Sequence, residues 1–188
     1  MVTPNGEDGE MKDVMLDIET LGNGEYAAIV QISACYFDRV TGEIGQTFDQ
    51  KIDLEDACKY GQVDGSTLKF WLQQDPEVIR QVMSGTRRLD EVLMEFELFA
   101  RDADCIWSHA TFDFVIVQEA LKKNDCLKRL KYKSARDLRT LCDLAQLKES
   151  DYPPAVGKTH NALDDCYFQV KYAVTALNKL LPHQGGRE

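Results

Sequence analysis

The chain has 188 residues, 44% hydrophobic and 29% charged, close to the soluble globular average, which excludes a disordered polymer, and no run approaches the roughly 18 apolar residues of a membrane-spanning helix. A chain of this length buries roughly 70% of the surface it exposes when unfolded, so one domain suffices. The formal charge of −10 argues against a tight, nonspecific duplex binder, which needs a basic surface, but not against an enzyme that holds a few nucleotides around cations.

Residues 1–11 carry Gly, Pro and acids without an apolar h-region and are expected to be a flexible leader, not a signal peptide. From Asp13 to Ile18 the segment containing Val-Met-Leu-Asp-Ile has the length and content of a buried strand. After a Gly-rich loop, Ala28 to Val40 places Val30, Ile32, Ala34 and Tyr36 on one face by period-two alternation, and Thr41-Gly42-Glu43 turns the chain into a third strand from Thr47 to Ile52. This predicts an antiparallel meander. Helical signals follow: Ser66-Thr67 opens a segment with Leu68, Phe70, Trp71 and Leu72, Pro76 starts a second, and Arg88 to Ala103 repeats apolar residues at helical spacing. Cys105-Ile106-Trp107 reads as a fourth strand before a helix from about Thr111, and Tyr132 to Ala135 as a short fifth strand before a helix with Leu138, Leu141, Leu144 and Leu147. A Pro-Pro loop leads to a final helix from about Asn161 to Leu181, and residues 183–188 are expected to be a flexible tail. Strands first, then strands alternating with helices, give an α/β, RNase H-like fold: a mixed five-stranded sheet, three strands antiparallel and two parallel, with helices on both faces.

The six cysteines show no Cys-x-x-Cys pair and no zinc-type His spacing, so they read as free thiols, which favours a reducing cytoplasm. Lys122, Lys123, Lys128, Arg129, Lys131, Lys133, Arg136 and Arg139 crowd a span with only Asp125 and Asp137 as acids. Two readings stand: a solvated helix end, or a phosphate-facing patch.

Three segments carry candidate chemistry. Asp17 and Glu19, one residue apart at the end of an apolar strand, point to the same face of the sheet. Burying such a pair costs several kcal/mol unless protons or a cation neutralise it, and carboxylates with water suit magnesium or manganese. Alone, an Asp-x-Glu at an exposed strand end needs no function. Asp113 falls in the first turn of a helix, where any helix prefers an acid. Asn161 can cap the last helix, which leaves His160 in the preceding loop and Asp165 in the first turn. A loop histidine can accept a proton from a bound water while the acid stays fixed.

Together these segments, Leu-Asp-Ile-Glu-Thr (Leu16 to Thr20), His-Ala-Thr-Phe-Asp (His109 to Asp113) and His-Asn-Ala-Leu-Asp-Asp (His160 to Asp165), resemble the DEDDh-type 3′-5′ exonucleases in order, spacing and context. The similarity runs from about residue 12 to 181, which makes 12–182 the expected exonuclease domain, and is greatest to small phage exonucleases of the exonuclease A type and bacterial exoribonucleases. Thr67 to Trp71 and Arg136 to Thr140 match two further elements of that group. His109 stands where many members have Asn, a departure that bears on a loop-positioning hydrogen bond rather than a metal ligand.

The resemblance implies two divalent ions, Mg2+ or Mn2+, about 3.5 to 4 Å apart. Asp17 would bridge both, Glu19 and Asp165 would complete the first shell, Asp113 would hold the second ion through water, and His160 would be the general base. The substrate implied is single-stranded nucleic acid, DNA or RNA, with a free 3′ end, cut to nucleoside 5′-monophosphates. The peptide groups of Thr20, Leu21, Gly22 and Asn23 are expected to grip the terminal nucleotide with Leu21 against its base. Trp71 either stacks on a base or packs under the sheet, and Arg139, oriented by Asp137, is expected to reach a phosphate. No membrane partner is implied, and a homo-oligomer is compatible with the sequence. A catalytically silent RNase H-like module that binds nucleic acid or protein would be expected to lose acids, whereas all the expected ones are present.

Overall fold

The computed structural model describes residues 11–124, 130–152 and 160–181. Most of the expected leader, the expected tail, Cys126, Lys128, Arg129 and the Pro-Pro segment lie outside the described residues. Strands β1 (Asp13–Thr20), β2 (Ile29–Phe37) and β3 (Ile44–Lys51) form the expected meander, followed by helices α1 (Leu54–Tyr60), α2 (Gly65–Trp71), α3 (Pro76–Val82) and α4 (Leu89–Ala100). Strand β4 (Cys105–Ser108), α5 (Asp113–Lys123), β5 (Ala135–Asp137), α6 (Leu138–Leu144) and α7 (Ala162–Leu180) complete the chain. The sheet order is β3-β2-β1-β4-β5, antiparallel in the first three strands and parallel across β1-β4 and β4-β5.

Strand alternation divides the apolar residues between two cores. Val14, Leu16 and Ile18 of β1 join Val30, Ile32 and Ala34 of β2 in the larger core, under Val92, Leu93 and Phe96 of α4 and Val117 and Leu121 of α5. Met15, Cys35, Phe37 and Trp107 face the other way, against Leu138 and Leu141 of α6 and Cys166, Val170 and Ala173 of α7. Since β1 is covered on both faces, any charge it carries must be neutralised inside the protein. At its first residue this is done by Arg39, which donates two hydrogen bonds of 2.7 Å to the buried Asp13, while Trp107 Nε1 donates a third at 2.7 Å.

Two differences from the expected elements have local causes. Helix α1 has no counterpart in the sequence reading, because only Ala57 of its seven residues is buried and no apolar periodicity marks it; Asp53 starts it by accepting from the Asp56 N–H. Residues Tyr132–Ser134 form a 3₁₀ turn, and the fifth strand is displaced to Ala135–Asp137, where it pairs with β4.

Gly61 closes α1 where its backbone passes β2's entry loop; a Cβ there would overlap the backbone of Ala28. Gly61→Ala is therefore expected to lower unfolding free energy by about 1–3 kcal/mol, read from urea denaturation at constant m-value.

Candidate active site

The parity that sends Val14, Leu16 and Ile18 into the larger core turns Asp17 toward α7, with Glu19 two residues on along the same strand. There Gln169 Nε2 donates to Asp17 Oδ1 at 2.6 Å. Asn161 caps α7 by accepting from the N–H groups of Leu163 and Asp164, which fixes Asp165 in the first turn. Asp113 begins α5, and its carboxylate accepts from the backbone N–H of His109 at 2.9 Å, which closes the β4-α5 connection on the first turn of the helix. Asp137 caps α6 through Thr140 and accepts from the Ala110 N–H at 3.0 Å, holding the same connection from the other side.

These elements bring the acids into two groups that share Asp17. Carboxylate oxygens of Asp17, Glu19 and Asp165 lie within 4.8 Å of one another, as do ligand atoms of Asp17, Asp113 and His109. Asp17 and Asp113 are buried, Glu19 and Asp165 half-buried. Burial first, and then the mutual repulsion of the acids, raises the Asp17 pKa well above the usual carboxylate range and that of Glu19 to about 8. Burial also lifts Asp113 to about 7 against its backbone donors and raises Asp165 against the nearby His160. Asp13, on the same face of the same strand, has a guanidinium; Asp17 is surrounded by acids and an amide. Such a donor set, all hard oxygens at ligand spacing plus one imidazole, fits divalent cations.

His160 packs edge-on against Phe70 with ring centroids 4.9 Å apart, and its backbone takes a left-handed conformation, φ 65°. The two rings border an open cleft of about 310 Å³ whose walls include Ile18, Glu19, Asn23 and Phe112.

The loop after β1 departs from expectation. Leu21 is 4% exposed and packs in the larger core rather than standing free for a base. Its N–H donates to Ala28 O and its carbonyl accepts from the Asp64 N–H; the Thr20 carbonyl accepts from Trp71 Nε1 at 2.8 Å, and the Asn23 N–H donates to Asp64. Most of these peptide groups thus bind the protein itself. Gly22 is needed for the same reason, since a Cβ would stand 2.6 Å from Gln62 O. Trp71, 4% exposed, takes the packing role left open by the sequence. Asp137 serves as cap and tether, while Arg139 is exposed and near enough to lower the pKa values of Asp113 and His109. In the basic span Lys123 donates to Tyr60 O, Arg136 to the carbonyls of Lys133 and Ala135, and Lys122 pairs with Glu119, so these three cations are engaged within the protein.

Sequence reasoning missed Gln169, although a glutamine four residues after Asp165 among the buried Cys166, Val170 and Ala173 was a readable signal. It also passed over Phe70 as a site residue, although it is 40% exposed beside His160 and borders the cleft.

A family model described as the 3′-5′ exoribonuclease Rv2179c-like domain matches residues 12–177. The chain belongs to this family. Among curated relatives, the exodeoxyribonuclease of Enterobacteria phage T4 is 24% identical, the match covering 87% of this chain and 89% of the phage protein. Among solved structures, the zinc-bound E. coli ExoI–ssDNA complex superposes with a TM-score of 0.65 at 14% identity over 91% of this chain. This chain spans 41% of that protein's length. The nuclease domain of 3′hExo, a DEDDh family member bound to rAMP, gives a TM-score of 0.56 at 16% identity, covering 95% of both chains. These structures establish the RNase H-like exonuclease fold for this member of the Rv2179c-like family.

The raised carboxyl pKa values have a sign. Glu19 and Asp113 hold protons in the folded state up to about pH 8 and 7, but lose them near pH 4 when unfolded, so in chelator the protein loses stability as pH rises from about 4 to 8. Mn2+ is expected to reverse the loss, so the Tm difference between Mn2+ and chelator should widen steadily from pH 5 to pH 8 in thermal scans; a constant difference would contradict the assignment.

Proposed function

We propose that this chain is a metal-dependent exonuclease that removes nucleoside 5′-monophosphates from the 3′ end of single-stranded DNA or RNA. The observation that carries this reading is the pair of ligand groups sharing Asp17, set beside His160 and an open cleft. Two divalent ions bound there, Mg2+ or Mn2+, would supply Lewis acidity to the attacking water and to the departing 3′ oxygen. Asp17, Glu19 and Asp165 would hold one of them, and Asp113 together with Asp17 the other. His160 accepts the proton of the water as its oxygen attacks phosphorus; the P–O3′ bond breaks, and the 3′ oxygen leaves with the shortened strand and takes a proton from solvent.

The cleft receives the terminal nucleotide, with Phe70 as a stacking surface worth about 1 to 3 kcal/mol per base. Arg139 lies near enough to the acids to meet an incoming phosphate. The T4 relative is named for DNA, the family for RNA, and the two solved structures hold ssDNA and rAMP; the chemistry common to them is a strand end, which is the substrate proposed here. Among the described residues no helix is long and apolar enough to cross a membrane. The free thiols Cys35, Cys58, Cys105, Cys142 and Cys166 suit the reducing cytoplasm, where we place the enzyme.

With Mg2+ or Mn2+, 5′-labelled single strands of matched DNA and RNA should yield ladders shortened from the 3′ end, abolished by chelator or by Asp17→Asn. Binding without shortening would favour a silent module. His160→Ala should lower kcat by about 10²–10⁴ while Mn2+ affinity measured by calorimetry stays near wild type; equal loss of both would make the histidine a ligand.

A further inference from the structure

His109 occupies a position whose side chain the reaction described above does not use. Strand β4 runs parallel to β1 through the partners Val14–Ile106 and Met15–Trp107, and the same register carried two residues further sets His109 abreast of Asp17. The loop-positioning hydrogen bond to Asp113 comes from the His109 backbone N–H, which any residue except proline supplies. The side chain is therefore not needed for that bond, and the departure from Asn at this position leaves the backbone tether in place. Its Nδ1 lies 3.9 Å from Asp113 Oδ2, too far for a hydrogen bond. Yet a ring nitrogen, an Asp17 oxygen and an Asp113 oxygen all lie within 4.8 Å of one another. Donors on one octahedral ion with bonds of about 2.1 Å are roughly 3 Å apart when adjacent and about 4 Å when opposite, so three atoms gathered within 4.8 Å approach the spacing of ligands on a common ion. The His109 side chain is also 27% exposed, so water and a cation can reach it.

We propose that His109 is a nitrogen ligand for the cation held between Asp17 and Asp113. This rests on the cation-binding reading of the acids. The two halves of the site then differ in kind. Asp17, Glu19 and Asp165 offer oxygen only, which suits Mg2+; Asp17, Asp113 and His109 offer a mixed set, and imidazole shifts selectivity toward Mn2+ and later transition ions. The enzyme is accordingly built to work with unlike ions in its two positions.

Pulsed EPR of Mn2+ bound to the untagged protein tests this without reference to activity. The chain has three histidines, so in His160→Gln/His183→Gln any imidazole ¹⁴N modulation on Mn2+ belongs to His109. That modulation is expected in wild type and in the double variant, and absent from His109→Asn. In Mg2+ competition His109→Asn should lose its preference for Mn2+ by roughly tenfold. Saturated Mn2+ sites without ¹⁴N coupling in the double variant, or coupling that survives His109→Asn, would overturn the proposal and leave the exonuclease reading intact. Failure of Mn2+ to bind at all would overturn both.

Discussion

Everything at the functional end of this protein follows from placing acids where water cannot solvate them. A strand covered on both faces has no cheap way to carry charge, and β1 carries three acids on or beside its α7-facing side. At one end Asp13 has a guanidinium and an indole N–H. At the other, Asp17 has Glu19, Asp165 and Asp113 around it and a single amide donor. The contrast within one strand separates structure from function: the first acid is completed by the protein, and the second is completed only by protons or by cations from outside.

The topology explains why the acids meet. Parallel pairing of β1 with β4 brings the start of α5, and so Asp113, beside the end of β1. Helix α7 crosses the sheet face of Asp17, where Cys166 is small enough for its Sγ to lie 3.4 Å from Ser33 O and Gln169 reaches the carboxylate. The charged residues come from three segments far apart in sequence: Asp113 accepts from a backbone N–H, Asp165 follows the Asn161 cap and Asp17 accepts from the neutral Gln169 amide. A site held in this way keeps its shape when the charge it encloses changes.

Much of this was legible in the residues. The β1-to-β3 meander, the strand-helix alternation after it and the three acid-bearing segments announce themselves through period-two runs, helical stripes and motif spacing. Helix α1 does not, because a seven-residue helix with one buried alanine leaves no periodic trace. In the loop from Thr20 to Asn23 the place of Leu21 left no such trace: it packs in the core and its peptide groups serve Ala28 and Asp64, partners up to about forty residues away whose proximity is a property of the fold alone, while Thr20, Gly22 and Asn23 line the cleft. Trp71 shows the same limit. An indole flanked by Phe70 and Leu72 reads equally as core or as platform until the acceptor of its N–H, the Thr20 carbonyl, is known.

That last bond has a mechanical consequence. It joins α2 to the residue directly after Glu19, and Asp64, at the head of α2, grips the N–H of Asn23 beyond it. The aromatic wall of the cleft is thereby tied to the end of the strand that carries Asp17 and Glu19. On the proposed reading, a nucleotide leaning on Phe70 would therefore meet a wall already tied to that strand.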